Sequence, residues 1–440
     1  YYGVQANKNG ALDSNFYFGS GSNLFQQIRS GSVQIADQSP NGGLWSSQPL
    51  NFAPRVGFAW DIFGDGKTSL RAGYGIAYER NFGNVTFNVI QNPPNYAVVA
   101  LTAGVDVPSI PITLSNSGPL AGASGTKVLP ATSLRAVNPN IATSRAQLYS
   151  VSLQRQVRGR TLLSAEYSGS TGGNLYSIAN INRPDSGVVL LGSGSANPIS
   201  GAPSSRLNGQ YSSINFRGSD GKSRYNAFIF SAENSGLGET GLRFSARYTL
   251  STSRDDLSST FSQSGNNFNL GYLDAFNPSL DYGYSDFDIR NSLTVGFTWT
   301  VPFAKSFHGA KGQLLNGWEF NGIFTASTGT PFTVYDCSTA LSVCARINPS
   351  GPLSFSGSGH YAEDPNGTPD HVQFINLANS APVQVFNPIS GNADFGPYPS
   401  SMTKRNAFRG PGQWNLDSGI YKNFVVTERF RLQFRGELYN

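Results

Sequence analysis

The segment GLRFSARYTL alternates strictly between two kinds of side chain. Leu242, Phe244, Ala246, Tyr248 and Leu250 fall on one side of an extended strand, and Arg243, Ser245, Arg247 and Thr249 fall on the other. Two arginines facing the same way inside such a strand are costly in lipid and natural in a wet lumen. The segment RLQFRGELYN repeats the design, with Leu432, Phe434, Gly436 and Leu438 opposed by Arg431, Gln433, Arg435, Glu437 and Tyr439. This pattern requires a sheet whose two faces meet different media.

Composition points the same way. Of 440 residues, 38% are hydrophobic and only 13% charged, while 50 are glycine and 12% aromatic. A chain so poor in charge solubilises itself weakly, yet its apolar residues are too dispersed for several large cores. The net charge of +5, from 31 basic and 26 acidic residues, is spread through strand-like segments, so no nucleic-acid footprint is indicated. No segment approaches the roughly 18 consecutive apolar residues of a membrane helix, which excludes a helical spanning protein and leaves a barrel open. Tyr1 opens in polar sequence without the basic and then apolar start of a signal peptide. The expectation is a processed leader or a start inside a larger protein.

Further segments fit the alternating template. Residues 53–61 and 67–78 flank IFGDG, where Gly64, Asp65 and Gly66 supply hairpin chemistry. Residues 145–156 and 161–169, 224–235 and the strand from Leu242, 288–299 and 314–326, and 414–424 and the strand from Arg429 complete about ten candidates. Their connections alternate in length. Short ones follow 61, 156, 235 and 424, an intermediate one follows 299, and long ones occupy about 79–144, 170–223, 251–287 and 327–413, with 1–50 as a further external loop. Short turns on one rim and long loops on the other are the signature of an all-β, antiparallel transmembrane barrel. A soluble sandwich has no reason to segregate loop length in this way.

Local blocks carry a family resemblance. NFAPRVGFAWDIFGDGKTSLRAGYGIAYER, QLYSVSLQRQVRGRTLLSAEYSGSTGGNLY, SRYNAFIFSAENSGLGETGLRFSARYTLSTSRDD, DYGYSDFDIRNSLTVGFTWTVPF, LLNGWEFNGIFTASTGTPFTV and RNAFRGPGQWNLDSGIYKNFVVTERFRLQFRGELYN occur in family order. Together they resemble the Oar-like TonB-dependent outer-membrane transporters of acidobacteria and related bacteria. The resemblance implies a bacterial outer-membrane barrel of about 22 strands, of which residues 1–440 form part of one domain, with the plug and the final strand absent. It further implies outer-membrane lipid as a partner and a TonB-type energy-coupling protein acting through a missing N-terminal region. The cargo is unidentified. A structural or adhesive surface protein within an envelope assembly is the alternative.

Several residues stand out. Asp286, Asp288 and Arg290 in YSDFDIRN enter a strand beside Phe287 and Ile289, and are read with Arg243, Arg247, Arg431 and Arg435 as polar residues projecting into the lumen. Charge pairing with neighbouring strands is the structural alternative to substrate contact. Arg405 and Arg409 in RNAFRGPG, a signature under the resemblance, are read as folding residues. Trp60, Trp299, Trp318 and Trp414 fall near strand ends, as interfacial aromatics do. Cys337 and Cys344 enclose a short loop, which suits a local disulfide in an oxidising compartment. Tyr282, Tyr284, Tyr335 and Tyr361 are possible ligand contacts, with turn packing the plainer reading. No nucleophile elbow or zincin pattern accompanies His308, His360 and His371, the glycine clusters lack a phosphate-loop context, and Asp336, Asp364 and Asp370 do not form a calcium loop. No enzyme activity, cofactor or metal is expected.

Overall fold

The computed structural model describes residues 13–46, 48, 50–79, 92–93, 131–157, 160–191, 206–236, 240–259, 271–302, 309–336, 343–349, 354–362, 371–376, 380–381, 398–427 and 429–439. Ten strands form one antiparallel sheet in which each pairs with the next in chain order. They are β1 (Arg55–Asp61), β2 (Thr68–Glu79), β3 (Ser144–Val157), β4 (Thr161–Asn180), β5 (Tyr211–Asn234), β6 (Leu242–Asp255), β7 (Asn291–Thr300), β8 (Trp318–Ser327), β9 (Gln413–Val425) and β10 (Arg431–Leu438). Two shorter strands join it. Thr132–Val137 runs parallel to β5, and Gly283–Tyr284 pairs with the end of β6. Among the described residues the sheet is open, with β1 and β10 as its edges.

Because successive side chains alternate, the pairing register assigns each residue to a face. Trp60, Leu70, Leu153, Ala165, Phe230, Tyr248, Leu293 and Ala326 follow one another across the sheet through direct cross-strand pairs, and Ala326 meets Trp414. Phe58, Val151, Tyr167, Phe228, Leu250, Val295, Phe324, Leu416 and Ile420 share this apolar face, as do Leu432, Phe434 and Leu438 of β10. The opposite face carries Ser152, Glu166, Ser231, Arg243, Arg247, Thr294, Asn321, Asp417, Tyr421 and Glu437, with Leu148, Ile229 and Ile323 as apolar interruptions.

Burial is inverted relative to a soluble sheet protein. Trp60, Phe228 and Phe230 are each 51% exposed and Trp414 is 66% exposed, whereas the buried apolar side chains lie almost entirely outside the middle of the sheet. Phe16, Ile28, Leu134, Ala136, Ile181, Leu207 and Ile214 form the largest cluster, built by segments at the long-loop end. A contiguous apolar wall of this extent is far larger than a water-facing surface tolerates, and lipid is the medium that satisfies it. No helix among the described residues is long and apolar enough to cross a membrane.

Side-chain amides hold the long-loop end together where no strand ladder is available. The Asn15 amide donates to the Val137 carbonyl at 2.7 Å and its oxygen accepts from Val137 N–H at 2.9 Å, imitating a strand pair. Asn182 donates to the Asn208, Tyr211 and Ser212 carbonyls at 2.8–3.0 Å. Each amide satisfies backbone groups that would otherwise be buried without partners.

Several strand boundaries differ from the sequence expectation. β4 continues to Asn180 rather than stopping near 169, and β5 begins at Tyr211 rather than 224, so much of the expected loop 170–223 is sheet. Gly172, Gly218 and Gly221 sit at close approaches in an irregular ladder. A Cβ on Gly221 would lie 2.8 Å from Leu175, where the register shifts. Residues 314–317, expected at the start of a strand, instead finish the helix Gly309–Leu315 and turn into β8. The expected loop 1–50 contains the paired strands Ser14–Tyr17 and Ser32–Ile35 and the helix Leu24–Arg29. Strand Thr132–Val137 lies within the expected loop 79–144, and the expected loop 251–287 starts later because β6 runs to Asp255.

Candidate functional site

Connections 62–67, 158–160, 235–241, 301–317 and 426–430 join strands at one rim, and 80–143, 181–210, 256–290 and 328–412 join them at the other. The tight turn after β1 uses Gly64 (φ +66°) and Gly66 (φ +70°), where Asp61 accepts the Gly66 N–H at 2.7 Å. Trp60, Trp299 and Trp318 stand at the short-turn rim, and Trp414 stands at the long-loop rim. Trp299 packs on Phe320 with ring centres 5.8 Å apart and donates its indole N–H to the Thr240 carbonyl at 3.0 Å. Trp318 donates to the Leu314 carbonyl at 3.1 Å. Each of these two rings has an apolar body against the wall and a polar group turned to the turn backbone, the arrangement of an interfacial belt. Lys422, on the apolar face beside Trp318, sends its ammonium to the Asn316 carbonyl and lies 4.7 Å from the Phe424 ring centre. Its stem covers apolar wall while its charge reaches the rim.

The polar residues flagged from the sequence fall into separate places rather than one cluster. Arg243 and Arg247 lie on the polar face of β6, where Arg247 is opposite Ser231 and Thr294. Arg431 and Arg435 lie on the same face at β10, and the Arg435 guanidinium sits 5.2 Å from the Tyr421 ring centre. Glu437 accepts hydroxyl protons from Tyr421 and Tyr439, both at 2.8 Å. Asp286, Asp288 and Arg290 belong to the long-loop rim. Arg290 is exposed there and donates to the Ser251 carbonyl at 3.2 Å.

At that rim the YSDFDIRN and RNAFRGPG segments interlock. Arg405, buried, donates through Nε to the Asp281 carbonyl at 2.8 Å, through Nη1 to Asp286 at 3.2 Å and Ser258 at 3.1 Å, and through Nη2 to the Asp255 carbonyl at 2.7 Å and the Asp255 carboxylate. Asn406 takes a left-handed backbone (φ +54°) and donates to Asp286 at 2.6 Å and the Tyr284 carbonyl at 2.8 Å. Arg409 pairs with Asp288, and Arg346 pairs with Asp281 at 2.6 Å. Tyr284 lies 4.9 Å from both the Arg254 and the Arg409 guanidinium. Burial pushes the Asp281 carboxyl above its usual range against the opposing pull of Arg346. Burial, with help from neighbouring Asp255, pushes Asp256 up to about 6 against hydrogen bonding from Lys222 and the charge of Arg405.

Asp255, Asp281 and Arg346 carry no sequence signal that singles them out, and Asn406 lies unmarked within the RNAFRGPG segment. Their partners lie far along the chain, 150 residues in the case of Arg405 and Asp255, so no local pattern marks them. Cys344 is buried and disulfide-bonded. Cys337, His308, Asp364 and Asp370 lie outside the described residues, as do the side chains of Tyr361, His360 and His371.

A wall apolar towards lipid, a charge-bearing opposite face and loop length sorted by rim agree with the sequence-family comparison. The family model described as an outer membrane beta barrel domain matches residues 1–440. The chain belongs to this outer-membrane β-barrel family. It is accordingly a protein of the bacterial outer membrane. No curated protein matches it. Among solved structures, the outer-membrane transporter YddB from Escherichia coli is 13% identical, with a TM-score of 0.44 over 89% of this chain and 36% of that one. The ferripyoverdine receptor of Pseudomonas aeruginosa is 11% identical, with a TM-score of 0.36 over 88% of this chain and 29% of that one. The siderophore receptor PirA from Acinetobacter baumannii is 12% identical, with a TM-score of 0.36 over 88% and 36%. The outer-membrane barrel chain thus spans about a third of the length of these structures.

Proposed function

We propose that this chain is part of the barrel of an Oar-like, TonB-dependent transporter, moving a solute or other cargo rather than catalysing a reaction. The observation that carries the reading is the polar, charge-bearing face that runs across the sheet, from Arg71 on β2 through Arg243 and Asp417 to Arg435, opposite a wall committed to lipid. A sheet that merely anchors has no need of so many ionisable groups facing inward, whereas a passage filled by water, cargo or a plug does. The ordered blocks resembling Oar-like transporters support the finer assignment, in which a plug gates the lumen and a TonB-type protein supplies energy.

The test compares cells with and without the full gene for accumulation of labelled solutes, before and after an uncoupler collapses the proton gradient. Uptake that requires both the gene and the gradient supports coupled transport. Gene-dependent surface attachment with no gene-dependent uptake would instead favour the adhesive reading.

A further inference from the structure

Arg224, midway along β5, and Arg254, at the external end of β6, are basic residues that form no ion pair with the described acids. The register sets Arg224 directly opposite Arg254, and Arg254 opposite Tyr284. All three share the face of Phe228, Phe230, Tyr248 and Leu250, the lipid-facing wall. Like charges directly opposite each other weaken a sheet unless a counter-charge joins them. Of the nearby carboxylates, Asp255 and Asp286 pair with Arg405, Asp281 with Arg346 and Asp288 with Arg409, while Asp256 accepts the Lys222 backbone N–H and Asp220 the Ser177 hydroxyl. Among the described residues, Arg224, Arg254 and nearby Lys404 form no ion pair, and all three are exposed.

Position along the wall fits a headgroup. Arg224 lies ten positions from Asn234, the end of β5 at the short-turn rim. That is about 34 Å along the strand, or roughly 26 Å along the membrane normal at a tilt of about 40°, the height of a typical barrel's apolar band. Beside the arginines a cavity of about 560 Å³ opens, lined by Arg254, Tyr282, Tyr284, Thr403, Lys404 and Phe408.

We infer that this is a docking site for a phosphate-bearing lipid of the outer leaflet. The phosphate bridges Arg224 and Arg254 through charge-assisted hydrogen bonds, and the headgroup fills the cavity against Tyr282 and Lys404. The acyl chains run down the wall past Tyr248 and Leu250.

The test titrates purified full-length protein in detergent with bisphosphorylated lipid A, reading bound lipid by native mass spectrometry. Arg224→Gln and Arg254→Gln should each weaken binding about fivefold, and the double variant about thirtyfold. Arg243→Gln with Arg247→Gln, on the polar face, should leave binding unchanged. Dephosphorylated lipid A should bind no better to the native protein than to the double variant. Retention of heat-modifiable gel migration checks folding, and the single variants carry the test if the double variant misfolds. Unchanged affinity in the variants that fold, equal binding of the dephosphorylated lipid, or an equal loss in the polar-face variant would each overturn the proposal. Displacement by inorganic phosphate alone would overturn it too, by identifying a free-anion site.

Discussion

Replacing Arg405 with methionine removes the guanidinium that joins the end of β6 to segments 281–286 and 403–409. The stem volume is largely kept, but Asp255 and Asp286 lose their cation, and the Asp281 and Asp255 carbonyls lose donors at 2.8 and 2.7 Å. Removing one partner of a buried ion pair costs about 3–5 kcal/mol, so the locally opened rim should become about 150- to 5000-fold more populated. The ten-strand wall is held by its own ladders and should not respond. Hydrogen exchange on the full protein in detergent reads both regions at once, with fast exchange expected in peptides covering 281–288 and 403–409 and native protection in β6 to β9. Arg405→Lys should recover little, because an ammonium cannot span the divergent acceptors. Native protection of the rim in Arg405→Met would refute the reasoning, as would loss of protection throughout the barrel.

Three further outcomes are expected. Asp256 has a folded pKa raised to about 6 from 3.8, so its favourable contribution is complete below about pH 4 and is lost as pH rises through 6; Asp256→Asn should therefore flatten the decline in rim protection between pH 5 and 7.5, measured by exchange corrected for intrinsic rates. Gly241 holds φ +67°, and a Cβ there would collide with the Thr300 carbonyl oxygen, so Gly241→Ala should lower the temperature at which the barrel loses its heat-modifiable migration. Phe228→Arg, mid-wall on the lipid face, should cost about 2–4 kcal/mol in urea refolding into vesicles, while Ser231→Arg on the opposite face should cost far less.

Sequence reasoning reached the wall because the code there is local. Leu242 to Leu250 and Leu432 to Leu438 each state both faces within a few residues, and the parity of loop lengths orders the strands without any contact being known. Beyond the bilayer the code fades. Residues 170–180 and 211–223 are glycine- and serine-rich because water or protein, not lipid, surrounds those strand extensions, so they lack the alternation that identifies β6. The rim was legible only in halves. Asp286 and Asp288 stood out in one segment and Arg405 and Arg409 in another, but that these pair with each other is a property of the fold, and the acids Asp255 and Asp281 that complete the set have no distinguishing neighbours. The arginine pair of Arg224 and Arg254 was equally hidden, since one lies midway along β5 and the other near the end of β6, and only the register sets them face to face.

The most direct test of the lipid-facing wall is a nitroxide scan of residues 243–250 in the full protein reconstituted into vesicles, with the native disulfide left oxidised. Labels at Phe244, Ala246, Tyr248 and Leu250 should be accessible to oxygen dissolved in lipid, and labels at Arg243, Ser245, Arg247 and Thr249 to a water-soluble nickel chelate. An alternation of period two in that phase is the predicted result. The opposite phase, or uniform access to the chelate along the strand, would contradict a barrel wall built on this register.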